Sequence, residues 1–287
     1  MRSRGLDLVS NAYQEHTAVA AFNIYNIEAL SAALEACRLT LTPIILQLTV
    51  PAFDWWQRSG IGHLLAEAAD AAPVKVGLQL DHVRDLEHVA SAVGCGFTSV
   101  MVDGSHLNFE ENVSLISRCA ELAHRADVAI EAELGATAGN EDFLSDDAQD
   151  HQSLTDPEQA AAFVDATKVD ALAVAFGTVH GRYAGEPRLD LVRLETINAG
   201  LAIPLVMHGA SGLSDDQLLA CRERGIAKVN LNTELRQIYF GTAASFVSDA
   251  RGDLLGMMQA TSSAMRDAMV AKIRLLSGPP YASRERG

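Results

Sequence analysis

Short apolar runs alternate along this chain with longer stretches in which apolar residues recur at helical spacing. Eight runs read as strands: Thr17–Ile24, Pro43–Thr49, Val74–Leu80, Phe97–Val102, Asp127–Glu133, Ala171–Phe176, Ile203–His208 and Ile226–Leu231. Most are continuous rather than alternating, the pattern of parallel strands covered on both faces. Between them Ile27–Leu39, Asp85–Val93, Glu111–His124, Pro157–Thr167 and Asp216–Arg224 carry helical spacing. Asp156 is placed to cap the fourth of these helices, with Pro157 in its first turn and Glu158 suited to its dipole. Strand–helix alternation repeated eight times predicts an α/β fold, a (β/α)8 TIM barrel with extra C-terminal helices. A doubly wound open sheet is the alternative, but no Gly-x-Gly-x-x-Gly follows the first strand, and eight units favour closure.

No Pro/Ser/Gly-rich linker divides the sequence, so 1–287 reads as one barrel domain. Its longest irregular segment is Gly135–Thr155, polar and acidic, of a length typical of a lid or a disordered segment. Gln237–Leu276 reads as one or two helices beyond the eighth strand, and the charged end after Gly278-Pro279-Pro280 as frayed.

In a barrel the C-terminal strand ends face the active site. Here the third strand leads to Asp81-His82, and the fourth to Asp103 with Gly104-Ser105-His106 after it. The fifth ends on Glu131 and Glu133, and the sixth leads through Gly177-Thr178-Val179 to His180-Gly181. The seventh reaches His208-Gly209-Ala210-Ser211-Gly212, and the eighth Asn230, Asn232 and Thr233. A lone barrel histidine is usually a structural residue. His82, His180 and His208 at equivalent strand ends, with Asp81 beside the first, instead suggest a zinc site with an open position and a proton-moving acid. Asp103 and Glu133 could each be a structural cap or a site acid. His106 lies one turn too far along. The turns at Gly181 and Gly209–Gly212, with Ser211, Asn230 and Thr233, offer donors to a phosphate, as loops after strands 7 and 8 of barrels often do.

The formal net charge of −15 argues against nucleic acid as a partner, since that calls for a basic patch. The most apolar stretch, Leu39–Phe53, is broken by Gln47 and two prolines and is no membrane span. No targeting segment is visible, and Cys37, Cys95, Cys119 and Cys221 are scattered, as expected of reduced thiols in a cytoplasmic protein.

Six segments together resemble the class II, zinc-dependent ketose-bisphosphate aldolases: Gln79–His82, Val100–His106, Glu131–Gly135, Ala173–Gly181, Met207–Gly212 and Lys228–Asn230. The similarity runs in order from about Ala18 to Arg236. It implies that His82, His180 and His208 hold one Zn²⁺ per subunit, with Asp103 and Glu133 as alternate ligands. Asp81 and Glu141 would be the two proton-transfer residues. Gly181, Gly209, Ser211, Asn230 and Thr233 would grip the phosphate of the dihydroxyacetone phosphate half, and Ala210, Leu231, Asn232, Asn23 and Thr49 would also bind substrate. A monovalent cation, Na⁺ or K⁺, could sit on backbone near Val179 and Ser211. The assembly would be a homodimer or homotetramer acting on a phosphorylated sugar.

The sequence also departs from that pattern. Gln79 stands where many members have His, and Thr49–Gly60 carries Trp55 and Trp56 where relatives often have Ser and Gly. This segment reads as a loop over the aldehyde end, its tryptophans a lid, an interface patch or a substrate wall. Arg274 is the candidate for a distal phosphate, in its own or a neighbouring subunit. Lys228 reads as structural. The expected activity is reversible cleavage of a fructose- or tagatose-type ketose 1,6-bisphosphate. A phosphorylated deoxy-keto acid as substrate, or a non-catalytic sugar-phosphate-binding subunit, is the alternative.

Overall fold

The computed structural model describes residues 1–139, 153–183, 185–247 and 252–278. Eight parallel strands close in sequence order into a barrel: β1 (Val19–Asn23), β2 (Ile44–Thr49), β3 (Val76–Val83), β4 (Ser99–Val102), β5 (Ala129–Leu134), β6 (Ala171–Val174), β7 (Leu205–Met207) and β8 (Ile226–Leu231). The helices are α1 (Gly5–Gln14), α2 (Ile27–Thr40), α3 (Val50–Arg58), α4 (Leu64–Ala71), α5 (Leu86–Gly94), α6 (Phe109–Arg125), α7 (Pro157–Thr167), α8 (Leu191–Gly200), α9 (Asp215–Arg222), α10 (Thr233–Val247) and α11 (Leu254–Ser277). The fold is the expected (β/α)8 barrel with C-terminal helices.

Local chemistry starts these helices where the strands release the chain. Asn26 accepts from Ala29 N–H and Asp85 from His88 N–H. Asn108/Glu111 and Ser214/Gln217 form reciprocal capping boxes. Asp156 caps α7 as the sequence predicts, accepting from Glu158 N–H. Outward-facing Phe22, Leu46, Leu78, Val100, Ile130 and Val229 pack under the helices in one continuous core.

The sequence reading requires three corrections. It overlooks α4, α8 and α1, the last of which buries Leu8, Val9 and Ala12 against Val19, Ala21, Ile45 and Ala227 inside the barrel's N-terminal end. It reads Thr49–Gly60 as a loop, whereas Val50–Arg58 is a helix with Pro51 in its first turn. Within α3, Trp56 is buried with its indole N–H directed at the Tyr25 carbonyl, while Trp55 is 61% exposed. The third correction concerns β3, which runs on through Asp81, His82 and Val83.

Inside the barrel the inward positions change character along each strand. β1 goes from Val19 and Ala21 to Asn23, β2 from Ile45 to Gln47 and Thr49, and β3 from Gly77 to Gln79 and Asp81. All of these polar side chains are buried. The apolar end is plugged by α1, and the polar end is where the site lies. Among the described residues no helix is long and apolar enough to cross a membrane.

Candidate active site

Consecutive residues of a regular strand point to opposite faces, yet Asp81 and His82 both serve the interior. Between Leu80 and Val83 the register of β3 against β4 shifts, and His82 takes a left-handed φ of 54°. This bulge re-aims the side chain. For a non-glycine residue it costs about 1–3 kcal/mol, strain of the kind that clusters at functional sites. As a result the His82 ring lies 5.2 Å from that of His180 and 5.0 Å from that of His208, and the latter two are 5.7 Å apart.

One ligand atom from each of His82, Glu133, His180 and His208 falls within 4.8 Å of the others, a group that could hold a metal ion. Hydrogen bonds decide which ring nitrogens are free for this role. His208 Nε2 faces Glu131 Oε1 at 3.0 Å, leaving Nδ1 buried with no partner among the described residues. His82 Nδ1 faces Asp103 Oδ2 at 3.3 Å, leaving Nε2 in the same condition. Carboxylates behind ring nitrogens are the usual outer support of a histidine ligand. Two orphaned imidazole nitrogens beside a carboxylate form a donor set that suits Zn²⁺.

The arrangement separates the acids that the sequence left undecided. Glu133 joins the three histidines. Asp103 stands behind His82, where Ser105 Oγ at 2.6 Å and Arg84 at 3.2 Å also bond it. Although Asp103 is buried, His82 and Ser105 hold its carboxyl far below the usual range. Burial would push His82 down, but Asp81, Asp103 and Glu133 prevail and raise it well above an ordinary imidazole. The centre therefore attracts positive charge.

Under the histidines, Lys228 Nζ lies 2.8 Å from Glu131 Oε2 and is fully buried. Burial opposes the charge on Glu131, yet Lys228 and His208 hold its pKa down to about 2. Gln79 donates to the same carboxylate at 3.3 Å. Lys228 is thus structural in a specific sense, because it neutralises the acid that fixes His208.

Asp81 is buried and accepts from Asn23 Nδ2 at 3.3 Å through one carboxylate oxygen, while the other has no partner among the described residues. Thr49 Oγ1 and both amide atoms of Asn230 are in the same state. Leu231, Asn232 and Thr233 are buried at the end of β8 and the start of α10. Ser211 Oγ accepts from Glu234 N–H there at 3.3 Å.

Two glycines are required by close approach. At Gly209 (φ 67°) a Cβ would strike the backbone of Val179, and Tyr183 stitches the same two turns by donating to the Gly209 carbonyl at 2.8 Å. At Gly139 (φ 100°) a Cβ would strike the carbonyl of His180. His180 N–H in turn donates to Ala138 O at 2.7 Å, so the segment after β5 braces a ligand candidate from β6. Gly181 and Ala210 are buried in these turns.

A cavity of about 470 Å³ opens above the histidines, lined by Thr49, Arg84, Asp103, Glu133, Gly139 and His180 among others. Glu141 lies outside the described residues. His106 is exposed. Arg274 is two residues before Leu276, whose carbonyl accepts from Ala18 N–H at the entry of β1. That entry is the barrel end away from the histidines, so the structure does not bring Arg274 to the site of its own chain. Conversely, the sequence reading overlooked Arg84 and the link from Lys228 through Glu131 to His208. A lysine and a glutamate inside otherwise apolar strands were the available signal for that link, since buried charges need partners.

Comparison with known proteins agrees with this geometry. The model of the family described as fructose-bisphosphate aldolase class-II matches residues 3–278. The YdjI aldolase from Escherichia coli K12 is 30% identical, with a TM-score of 0.86 over 98% of this chain and 100% of that one. A protein from Coccidioides immitis, provisionally described as a fructose-1,6-bisphosphate aldolase, is 32% identical over 98% of both chains, with a TM-score of 0.89. The fructose-bisphosphate aldolase of Campylobacter jejuni, 21% identical, shares the fold with a TM-score of 0.77 over 96% of this chain and 95% of that one.

Proposed function

The chain belongs to the class II fructose-bisphosphate aldolase family, and from that premise we propose that it is a metal-dependent aldolase. It cleaves a fructose- or tagatose-type ketose 1,6-bisphosphate, reversibly, to dihydroxyacetone phosphate and an aldehyde. The observation that carries this reading is the convergence of His82, His180, His208 and Glu133 within 4.8 Å, with Asp81 buried beside His82.

His82 Nε2, His208 Nδ1 and His180 would hold one Zn²⁺ per subunit, with Glu133 in reserve. When bound, the ion supplies Lewis-acid polarisation of the substrate carbonyl. The chain's own groups do the rest. Asp81 takes the proton from the C4 hydroxyl through its unpaired oxygen as the C3–C4 bond breaks, and returns it in condensation. Asn23 fixes that carboxylate from behind. Glu141 delivers a proton to the three-carbon fragment. The turns at Gly181 and Gly209–Ser211, with Asn230–Thr233, hold the phosphate of that fragment by backbone and side-chain donors. A monovalent cation would rest on backbone near Val179 and Ser211. The protein would work in the cytoplasm as a homodimer or homotetramer. Support for assembly comes from exposed Phe240 and Val247 on α10 and Leu254 and Leu255 on α11.

The test is release of dihydroxyacetone phosphate from a panel of ketose 1-phosphates and 1,6-bisphosphates, with and without chelator. Release that the chelator abolishes and Zn²⁺ restores is the expected result. Release that the chelator leaves intact would refute metal dependence, and none from zinc-loaded protein would refute the substrate class.

A further inference from the structure

The two ends of the substrate meet different chemistry. The turns after β6, β7 and β8 supply glycines and amides for one phosphate. The opposite wall of the cavity is built from the β2–α3 and β3–α5 turns and contributes Thr49, Val50, Pro51, Arg84 and Asp85. Among the described residues that line this cavity, Arg84 is the one lysine or arginine. Apart from His82 and His180, the remaining titratable groups of the lining are the acids Asp85, Asp103 and Glu133. A second anion entering this wall would be repelled unless a cation met it.

Arg84 is free to serve. One of its N–H groups donates to Asp103 Oδ2 at 3.2 Å, and the side chain is 62% exposed. A guanidinium has five N–H donors, so most of the fork is uncommitted while Asp103 holds its plane. On the same wall, Thr49 is the N-cap of α3 but makes no side-chain cap bond. Its Oγ1 is buried without a partner among the described residues. A buried hydroxyl at a helix N-terminus, lining the same wall as a tethered guanidinium, is a site in want of an anion.

We propose that Arg84 reads an anionic terminus on the aldehyde half of the substrate, with Thr49 beside it on the same wall. The proposal rests on the aldolase reading above and names the residue that selects for charge at the distal end. Phosphate and carboxylate are the two termini a guanidinium fork accepts.

The experiment measures kcat/KM of wild type and Arg84→Ala on a ketose 1,6-bisphosphate, the matching ketose 1-phosphate with a neutral end, and a ketose 1-phosphate ending in carboxylate. For the preferred anionic substrate, its ratio to the neutral one should fall about 10- to 100-fold in the variant, as expected for lost charge-assisted hydrogen bonds. Whichever anionic substrate carries that fall names the terminus. If Arg84 only props Asp103 and His82, all three substrates fall together and the proposal is overturned; an unchanged ratio overturns it equally. A second measurement does not depend on cleavage: calorimetric binding of hexitol 1,6-bisphosphate and hexitol 1-phosphate. Wild type should prefer the bisphosphate and Arg84→Ala should lose that preference. Absence of cleavage alongside that preference would refute the aldolase reading while leaving the anion site standing. Equal binding of both hexitol phosphates by wild type would refute a phosphate reader. The exposed position of Arg84 makes the variant safe for folding, and an unaltered thermal midpoint checks this.

Discussion

The two ends of the barrel are built from the same eight strands and obey opposite rules. At the N-terminal end Val19, Ala21, Ile45 and Ala227 meet Leu8, Val9 and Ala12 of α1, and every group in that cluster is apolar. At the C-terminal end the next inward positions of the same strands are Asn23, Gln47, Thr49 and Asn230, and each has a buried side-chain atom without a partner among the described residues. An unsatisfied buried polar group costs about 1–3 kcal/mol. One end therefore contributes stability and the other gives some of it up, the division expected of a barrel enzyme. Left-handed backbone does not follow this division: His16, Leu41, Asp127 and Lys168 adopt it at strand entries, and His82 adopts it at the rim.

The contrast breaks most visibly if Asp81 is removed. Asp81→Ala should lower turnover of the cleaved substrate by about 100- to 10,000-fold, the range for loss of a positioned acid or base. Bound zinc per subunit should be retained. Steady-state rates with metal analysis check this, and turnover near that of wild type would take Asp81 out of the mechanism.

Lys228→Met tests the layer between the two ends. It strands Glu131 as a buried charge, which should cost about 3–5 kcal/mol of stability. The sign with pH follows from Glu131, whose folded pKa of about 2 lies below its ordinary 4.5. Its stabilising effect is present above pH 4.5 and is lost as pH falls toward 2. The gap between variant and wild type should narrow over that window in denaturant titrations. A gap that widens there would mean Glu131 is not the charge Lys228 neutralises.

Leu8→Ala addresses the apolar end. A buried leucine in a packed cluster should cost about 2–5 kcal/mol, with kcat per folded molecule unaltered because α1 touches nothing at the site. Lost turnover in fully folded protein would show that the plug communicates with the catalytic rim.

The sequence made the rim legible and the plug illegible for one reason. Strand-end residues such as His82, His180 and His208 depart from the apolar pattern, and their chemistry is recognisable without coordinates. The inward apolar residues look like any others, so α1 gave no sign that its Leu8 face closes a barrel. The bulge at His82 was equally hidden, because a register shift depends on the partner strand. It is the reason Asp81 and His82, adjacent in sequence, can share an interior. Arg84 escaped notice because a lone arginine beyond a strand end is ordinary until the cavity wall around it is known to be otherwise acidic. Arg274 looked plausible for the site of its own chain because sequence order does not reveal which end of the barrel a helix terminus reaches.

The smallest expected effect sharpens the contrast furthest. Thr49→Val removes the hydroxyl at the start of α3 and keeps the branched shape suited to its extended backbone (φ −69°, ψ 157°). In most N-caps this would cost about 1 kcal/mol. Here no cap bond exists to lose, and the buried Oγ1 bonds nothing among the described residues. Replacing an unsatisfied hydroxyl by a methyl should leave stability within about 0.5 kcal/mol of wild type or raise it by up to about 1 kcal/mol. Affinity for the hexitol bisphosphate should fall at the same time. Stability that rises as binding falls would identify Thr49 as a group held against the interests of the fold. A clear loss of stability would instead show that its hydroxyl is satisfied in solution, and that the costly end of the barrel is less costly than its geometry indicates.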